Sequence, residues 1–119
     1  LAGKIEVALK EHFSDKTNWQ SMLCNLQDGT INLENEKWRV HEILPSDITC
    51  YWSEDDSIHT FNYPVEIYPT KVTTLTFDKT PEINGKLKGI KGQYLLFEDG
   101  QVLNIRRHTS YQIEFNEIN

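Results

Sequence analysis

Apolar residues recur along this chain at two different periods. In the first third they follow the spacing of a helix: Ile5, Ala8, Leu9 and Phe13 predict an amphipathic helix over residues 2–13, with Glu6 four residues before Lys10 as a favourable surface pair. Trp19, Met22, Leu23 and Leu26 fall at i, i+3, i+4 and i+7 and predict a second, shorter helix, with Ser14 or Asp15 as its cap and Asp28-Gly29 as its closing turn. Asn32 can cap a third, whose Leu33, Val40 and Leu44 share one side with Trp38 and His41 alongside, until Pro45 stops it. Two or three helices thus fill residues 1–45. Over residues 46–69 the pattern weakens to one further turn of helix around Ile48, Tyr51 and Trp52, then the acidic Glu54-Asp55-Asp56, and the stretch reads as a connector.

After Pro69 the period becomes two. Residues 71–77, 86–90, 93–97, 102–106 and 111–115 are rich in β-branched, aromatic and alternating positions and predict five short strands. Asp99-Gly100 between two apolar runs is the signature of a two-residue type I′ hairpin. That turn would set Leu96 opposite Leu103 and Tyr94 opposite Ile105 on one apolar face, with Gln93 meeting Arg106 on the other. The second face is also apolar near the turn, where Phe97 would pair with Val102 and Leu95 with Asn104, so something should cover it. Gly85, Gly89 and Gly92 mark a bulge, a bend or a close backbone approach. The expected fold class is α+β: helices over 1–45, a connector over 46–69, and a small five-strand antiparallel sheet over 70–119, curled toward an SH3- or OB-like barrel.

Composition fits a globular domain: 38% of the 119 residues are hydrophobic and 25% charged. The apolar runs are far shorter than the roughly 20 residues that span a bilayer, so no membrane segment is expected. Cys24 and Cys50 stand alone, without the spacing of a disulfide framework, and read as reduced thiols of a cytoplasmic protein. Leu1 to Gly3 run into the first helix with no start Met and no signal core, which suggests a piece of a longer protein. Net charge is −6, all of it in the first half: residues 1–63 hold five Lys/Arg against eleven Asp/Glu, and the remainder balances. Between Lys86 and Tyr111 the balance turns positive, as Lys86, Lys88, Lys91, Arg106 and Arg107 face only Glu98 and Asp99.

Four stretches, LAGKIEVALKEHFSDKTNW, FNYPVEIYPTKV, FDKTPEINGKLKGIKGQYLLFEDG and QVLNIRRHTSY, resemble in sequence and order the bacterial domain-of-unknown-function 2797 family. The resemblance covers more than half of the chain. It implies an upstream part with cysteine-containing and strand-rich segments, and no particular activity. A shorter likeness links LAGKIEVALK to the helix that follows the strands and arginine helix in nucleases of the GIY-YIG superfamily. It implies that Glu6 would occupy the position of the metal-holding glutamate, while the superfamily's tyrosines and arginine would lie upstream. The chain alone would then lack a complete catalytic site.

Read from the residues, Glu6 is also an ordinary solvated partner of Lys10. Glu54, Asp55 and Asp56 lack the alternation and glycine of a calcium loop. His12, His41, His59 and His108 do not share the short paired spacings of a zinc site with the cysteines, so no metal or other cofactor is expected. No nucleophile elbow or phosphate loop is present; Gly89-Ile90-Lys91-Gly92 is too short and lacks the Lys-Ser/Thr ending. Lys88, Lys91, Arg106 and Arg107, with Gln93, Tyr94 and Tyr111 nearby, have the composition of a nucleic-acid surface, cations for phosphates and rings for stacking. The plainer reading is a charged outer face with the tyrosines in the core. Two functions compete: an accessory, nucleic-acid-contacting part of a protein with a nuclease-like upstream half, and a non-catalytic interaction module. The second would use the face around Leu95, Phe97 and Val102 to dock the upstream half or a protein partner.

Overall fold

The computed structural model describes residues 1–118 and resolves them into two compact units. The first takes Leu1–Met22 and Leu26–Phe61; the second takes Leu23–Asn25 and the chain from Asn62 onward.

Four helices order the first unit: α1 (Ala2–Leu9), α2 (Trp19–Leu23), α3 (Leu33–Ile43) and α4 (Ser46–Thr49). α1 stops four residues short of the predicted end. The cap of α2 is Asn18, whose Oδ1 accepts from the Ser21 N–H at 3.1 Å, and neither Ser14 nor Asp15. α2 ends where Asn25 takes positive φ and the Leu26 N–H reaches back to the Ser21 carbonyl, the wiring of a Schellman cap. Asn32 caps α3 as expected, accepting from the Asn35 N–H at 2.9 Å, and Leu44 and Pro45 end it. α4 is the extra helical turn within the expected connector, and it carries the buried Ile48.

The second unit is an open, mixed, four-stranded sheet in the order β1-β4-β3-β2, with β1 (Thr73–Leu75), β2 (Leu87–Lys91), β3 (Tyr94–Phe97) and β4 (Gln101–Asn104). The predicted five-strand antiparallel sheet or barrel is therefore corrected in three respects. First, β1 runs parallel to β4, pairing Thr74 with Val102 and Leu75 with Leu103; a period of two is shared by both kinds of ladder and does not distinguish them. Second, residues 111–115 form no strand. After Asn104 the chain leaves the sheet in a 3-10 helix (Ile105–His108), started by the Asn104 side chain accepting from the Arg107 N–H. Third, the outer edge of β2 is met within the connector. Val65 bridges Gly89, the Glu66 N–H donates to the Lys88 carbonyl, and the Ile90 N–H donates to that of Pro64.

The hairpin register is also one residue from the prediction. Leu96 faces Val102, Leu95 faces Leu103 and Tyr94 faces Asn104. The loop uses three residues, Glu98 to Gly100, with the Gly100 N–H closing on the Phe97 carbonyl and Gly100 at φ +78°. This is the turn-plus-left-handed-glycine connection that ranks next to the two-residue turn. A Cβ at Gly100 would also stand 2.6 Å from the Lys71 carbonyl oxygen, so the position requires glycine twice over.

Leu23, Leu96 and Val102 are fully buried, with Val72, Tyr94 and Leu103 nearly so. Gly89 lies under Val65, where a Cβ would fall 2.7 Å from the valine methyl, and a register shift between Leu87 and Gly89 marks the anticipated bulge. No helix among the described residues is long and apolar enough to cross a membrane.

Candidate nucleic-acid interface

The four cations singled out from the sequence do not share one environment. β2 sends Gly89 and Lys91 to the face that carries Tyr94 and Leu96, their partners on β3, and Lys91 is buried there at 6% exposure. Its ammonium donates to Asn25 Oδ1 at 3.0 Å and lies 4.9 and 5.0 Å from the ring centres of Tyr63 and Tyr68. Two tyrosine faces and one amide thus replace the water of a charge that has no carboxylate partner among the described residues. Lys91 therefore does not belong to the outward-facing set. Within the second unit it ties the Tyr63–Tyr68 segment and Asn25 to β2.

Lys88 is held by Glu66, Nζ to Oε2 2.7 Å, with Glu98 at 3.8 Å, and only 16% of its side chain is exposed. The hydrogen bond and charge of Lys88 hold the Glu66 carboxyl below the usual range, and Glu66 in turn raises Lys88. Both partners keep their charge at neutral pH, so Lys88 offers a phosphate a cation that is already matched.

Arg106 and Arg107 differ from both. They project from the short 3-10 helix after β4, are exposed, and have no ion-pair partner among the described residues. Tyr111 follows at 48% exposure, its hydroxyl donating to Asp78 Oδ1 and its ring edge-on to His108 at 5.2 Å. Two guanidiniums without an ion-pair partner and one anchored ring therefore sit on a single loop, with Arg107 close enough to the Tyr111 hydroxyl to act on it electrostatically.

Glu6, by contrast, is an exposed residue of α1. No group of three His, Cys, Asp or Glu side chains able to hold a metal occurs among the described residues.

Residues 1–113 match the family described as "Protein of unknown function (DUF2797)". The chain belongs to the DUF2797 family. Neither the curated proteins nor the solved structures yield a match to it.

In this DUF2797 chain the loop that presents the arginines is braced by a residue that sequence reasoning passed over. His108 is buried at 4% exposure; its Nε2 accepts the Phe77 N–H at 3.1 Å and its Nδ1 stands 3.0 Å from the Asn104 carbonyl. Because Nε2 accepts, Nδ1 carries the proton and donates. The imidazole also packs edge-on against Phe77 at 5.0 Å. One side chain therefore joins the end of β1, the end of β4 and the arginine turn. The available signal was the Asn104–His108 spacing after a strand, an Asx cap with a side chain four residues on.

The docking face expected around Leu95, Phe97 and Val102 is split by the observed register: Val102 pairs with Leu96 on the other side of the sheet and is fully buried, while Leu95 and Phe97 are half-buried. Exposed apolar side chains lie instead at Ile67, Leu87 and Ile90.

Proposed function

We propose that this chain is a nucleic-acid-contacting accessory module that engages a phosphate backbone through Arg106 and Arg107, with Tyr111 available for stacking. The observation that carries the reading is the pair of exposed guanidiniums without a carboxylate partner among the described residues, on a turn fixed by His108 and Asn104. Exposed, forked cations without a carboxylate partner suit phosphate oxygens better than cations already engaged. Lys88 is a weaker contributor, since it would have to release Glu66.

Anisotropy titration of labelled duplex and single-stranded oligonucleotides tests this reading. Two phosphate contacts predict that duplex affinity falls about tenfold between 50 and 200 mM salt. Arg106→Ala with Arg107→Ala should abolish most of the binding and its salt dependence, whereas Lys4→Ala with Lys10→Ala in the first unit should not. Binding that is absent at low salt, or unchanged in the arginine variant, contradicts the reading.

A second reading, a module that docks a protein partner, is favoured by the exposed Ile67, Leu87 and Ile90 beside the outer edge of the sheet, 72%, 42% and 42% exposed. It predicts binding that is insensitive to salt and lost in Leu87→Ser with Ile90→Ser.

A further inference from the structure

The exposed side of α3 carries a surface of the opposite charge. Glu34, Trp38 and Glu42 recur every four residues and form one row along the helix, all exposed, with Trp38 at 48%. The indole is nevertheless held in place. His41 packs edge-on to it at 5.6 Å, Trp52 lies tilted against it at 6.2 Å, and His41 meets Trp52 at 4.8 Å. A rigid aromatic surface therefore stands in solvent between two carboxylates.

Other rings of this unit already hold cations: Lys37 Nζ is 5.4 Å from the ring centre of Trp52, and the Arg39 guanidinium lies 4.7 Å from that of Phe13. No cation of the described residues lies over Trp38, although indole is the best of the aromatic faces for one. The chain has none to spare nearby. Residues 1–61 hold five Lys/Arg against eleven Asp/Glu, and Lys4, Lys37 and Arg39 are already paired with Asp47, Asp56 and Glu36. A phosphate-bearing ligand would meet repulsion here, whereas a cation meets an attractive field and a half-exposed ring.

We infer that the Glu34–Trp38–Glu42 row of α3 docks a basic segment of a partner protein, with an arginine side chain lying over the indole of Trp38 and its fork directed at the flanking carboxylates. The planar guanidinium can stack flat on the ring and still direct two in-plane donors at one carboxylate, a bidentate geometry that a lysine ammonium does not offer.

The test is anisotropy titration of the full chain with a fluorescein-labelled triarginine amide at low salt, alongside trilysine amide and triglutamate. Triarginine should bind more tightly than trilysine, and triglutamate not at all. Trp38→Ala should weaken triarginine about two- to fivefold, the range for an exposed cation–π contact, with Trp38→Phe in between. Glu34→Gln with Glu42→Gln should weaken it further, while Glu82→Gln with Glu114→Gln in the sheet unit leaves it unchanged. Should Trp38→Ala lose its far-UV signature, the Glu34→Gln, Glu42→Gln pair decides, because both residues are exposed and neither supports the helix by packing. Equal affinity in wild type and in both α3 variants, equal loss in the Glu82, Glu114 control, or no binding of triarginine overturns the inference.

Discussion

The two units of this chain solve the problem of staying folded in different ways. The sheet unit buries Leu23, Val72, Tyr94, Leu96, Val102 and Leu103 and carries balanced charge. The helical unit buries Ile48 as its sole hydrophobic residue of that class among the described residues, carries six excess negative charges, and relies on specific contacts. Lys37 is the clearest of these. Its ammonium donates to the Ser53 and Asp55 carbonyls and to Asp56, at 2.7 to 2.8 Å, while lying over Trp52. The Trp52 Nε1 is buried without a hydrogen-bond partner, a cost that the sheet unit does not carry among its described side chains. Area removed from water is worth roughly 25 cal/mol per Å², whereas an exposed ion pair is worth at most about 1 kcal/mol. The sheet unit should therefore hold most of the stability, leaving the helical surface freer to specialise.

The largest test of that contrast is Leu96→Ala. The side chain is fully buried against Val102, so its removal should cost about 2–5 kcal/mol in urea unfolding followed by tyrosine-sensitive signals. Val7→Ala on α1, 73% exposed, should change stability by no more than about 0.5 kcal/mol.

Next in size is His108→Ala, which leaves the Phe77 N–H and the Asn104 carbonyl without their partner and should cost about 1–3 kcal/mol. The same variant should weaken any oligonucleotide binding without removing a charge, because the arginine turn loses its brace. Fast exchange of the Phe77 amide proton in His108→Ala would locate the loss; unchanged exchange would contradict the assignment.

Glycine replacements sharpen the comparison at similar scale. Gly100→Ala meets both the left-handed φ and the Lys71 carbonyl and should cost at least about 1–2 kcal/mol. Gly3→Ala, in open space on α1, should stabilise by about 0.4–1 kcal/mol through the unfolded chain. Thermal melts of the two variants should therefore move in opposite directions.

The smallest effect is in alkali. The hydrogen bond to Asp78, and then its charge, raise the Tyr111 hydroxyl above its ordinary value of about 10. A raised folded-state value means that the pair contributes fully below the unfolded value and is lost as pH rises through the folded one. Ultraviolet titration should show one late tyrosinate step in wild type that moves earlier in Asp78→Asn.

Much of this architecture was legible in the chain. Asn32 and Pro45 bracket α3 because a cap and a breaker act locally, and β2 and β3 follow their alternation, whereas adjacent Val102 and Leu103 of β4 are both buried. What was not legible depends on distant partners. The parallel pairing of β1 with β4 is set by contacts 28 residues apart in sequence, Thr73 with Gln101. The register error arose because Asp99-Gly100 serves both a two-residue and a three-residue loop; in the observed three-residue loop Gly100 takes φ +78° against the Lys71 carbonyl. For the candidate interface, Arg106 and Arg107 were identifiable as cations but not as unpaired ones. The burial of Lys91 followed from parity with Gly89 on β2, a signal masked by its charge.

The central claim, that Arg106 and Arg107 form a phosphate-contacting pair, is tested most directly by the salt dependence of duplex binding in wild type and in the two single arginine variants. Each arginine that touches a phosphate adds about 0.9 to the slope of log affinity against log salt, so each single variant should be less steep by that amount. Slopes that match wild type in both variants, or no duplex binding at 50 mM salt, would contradict it.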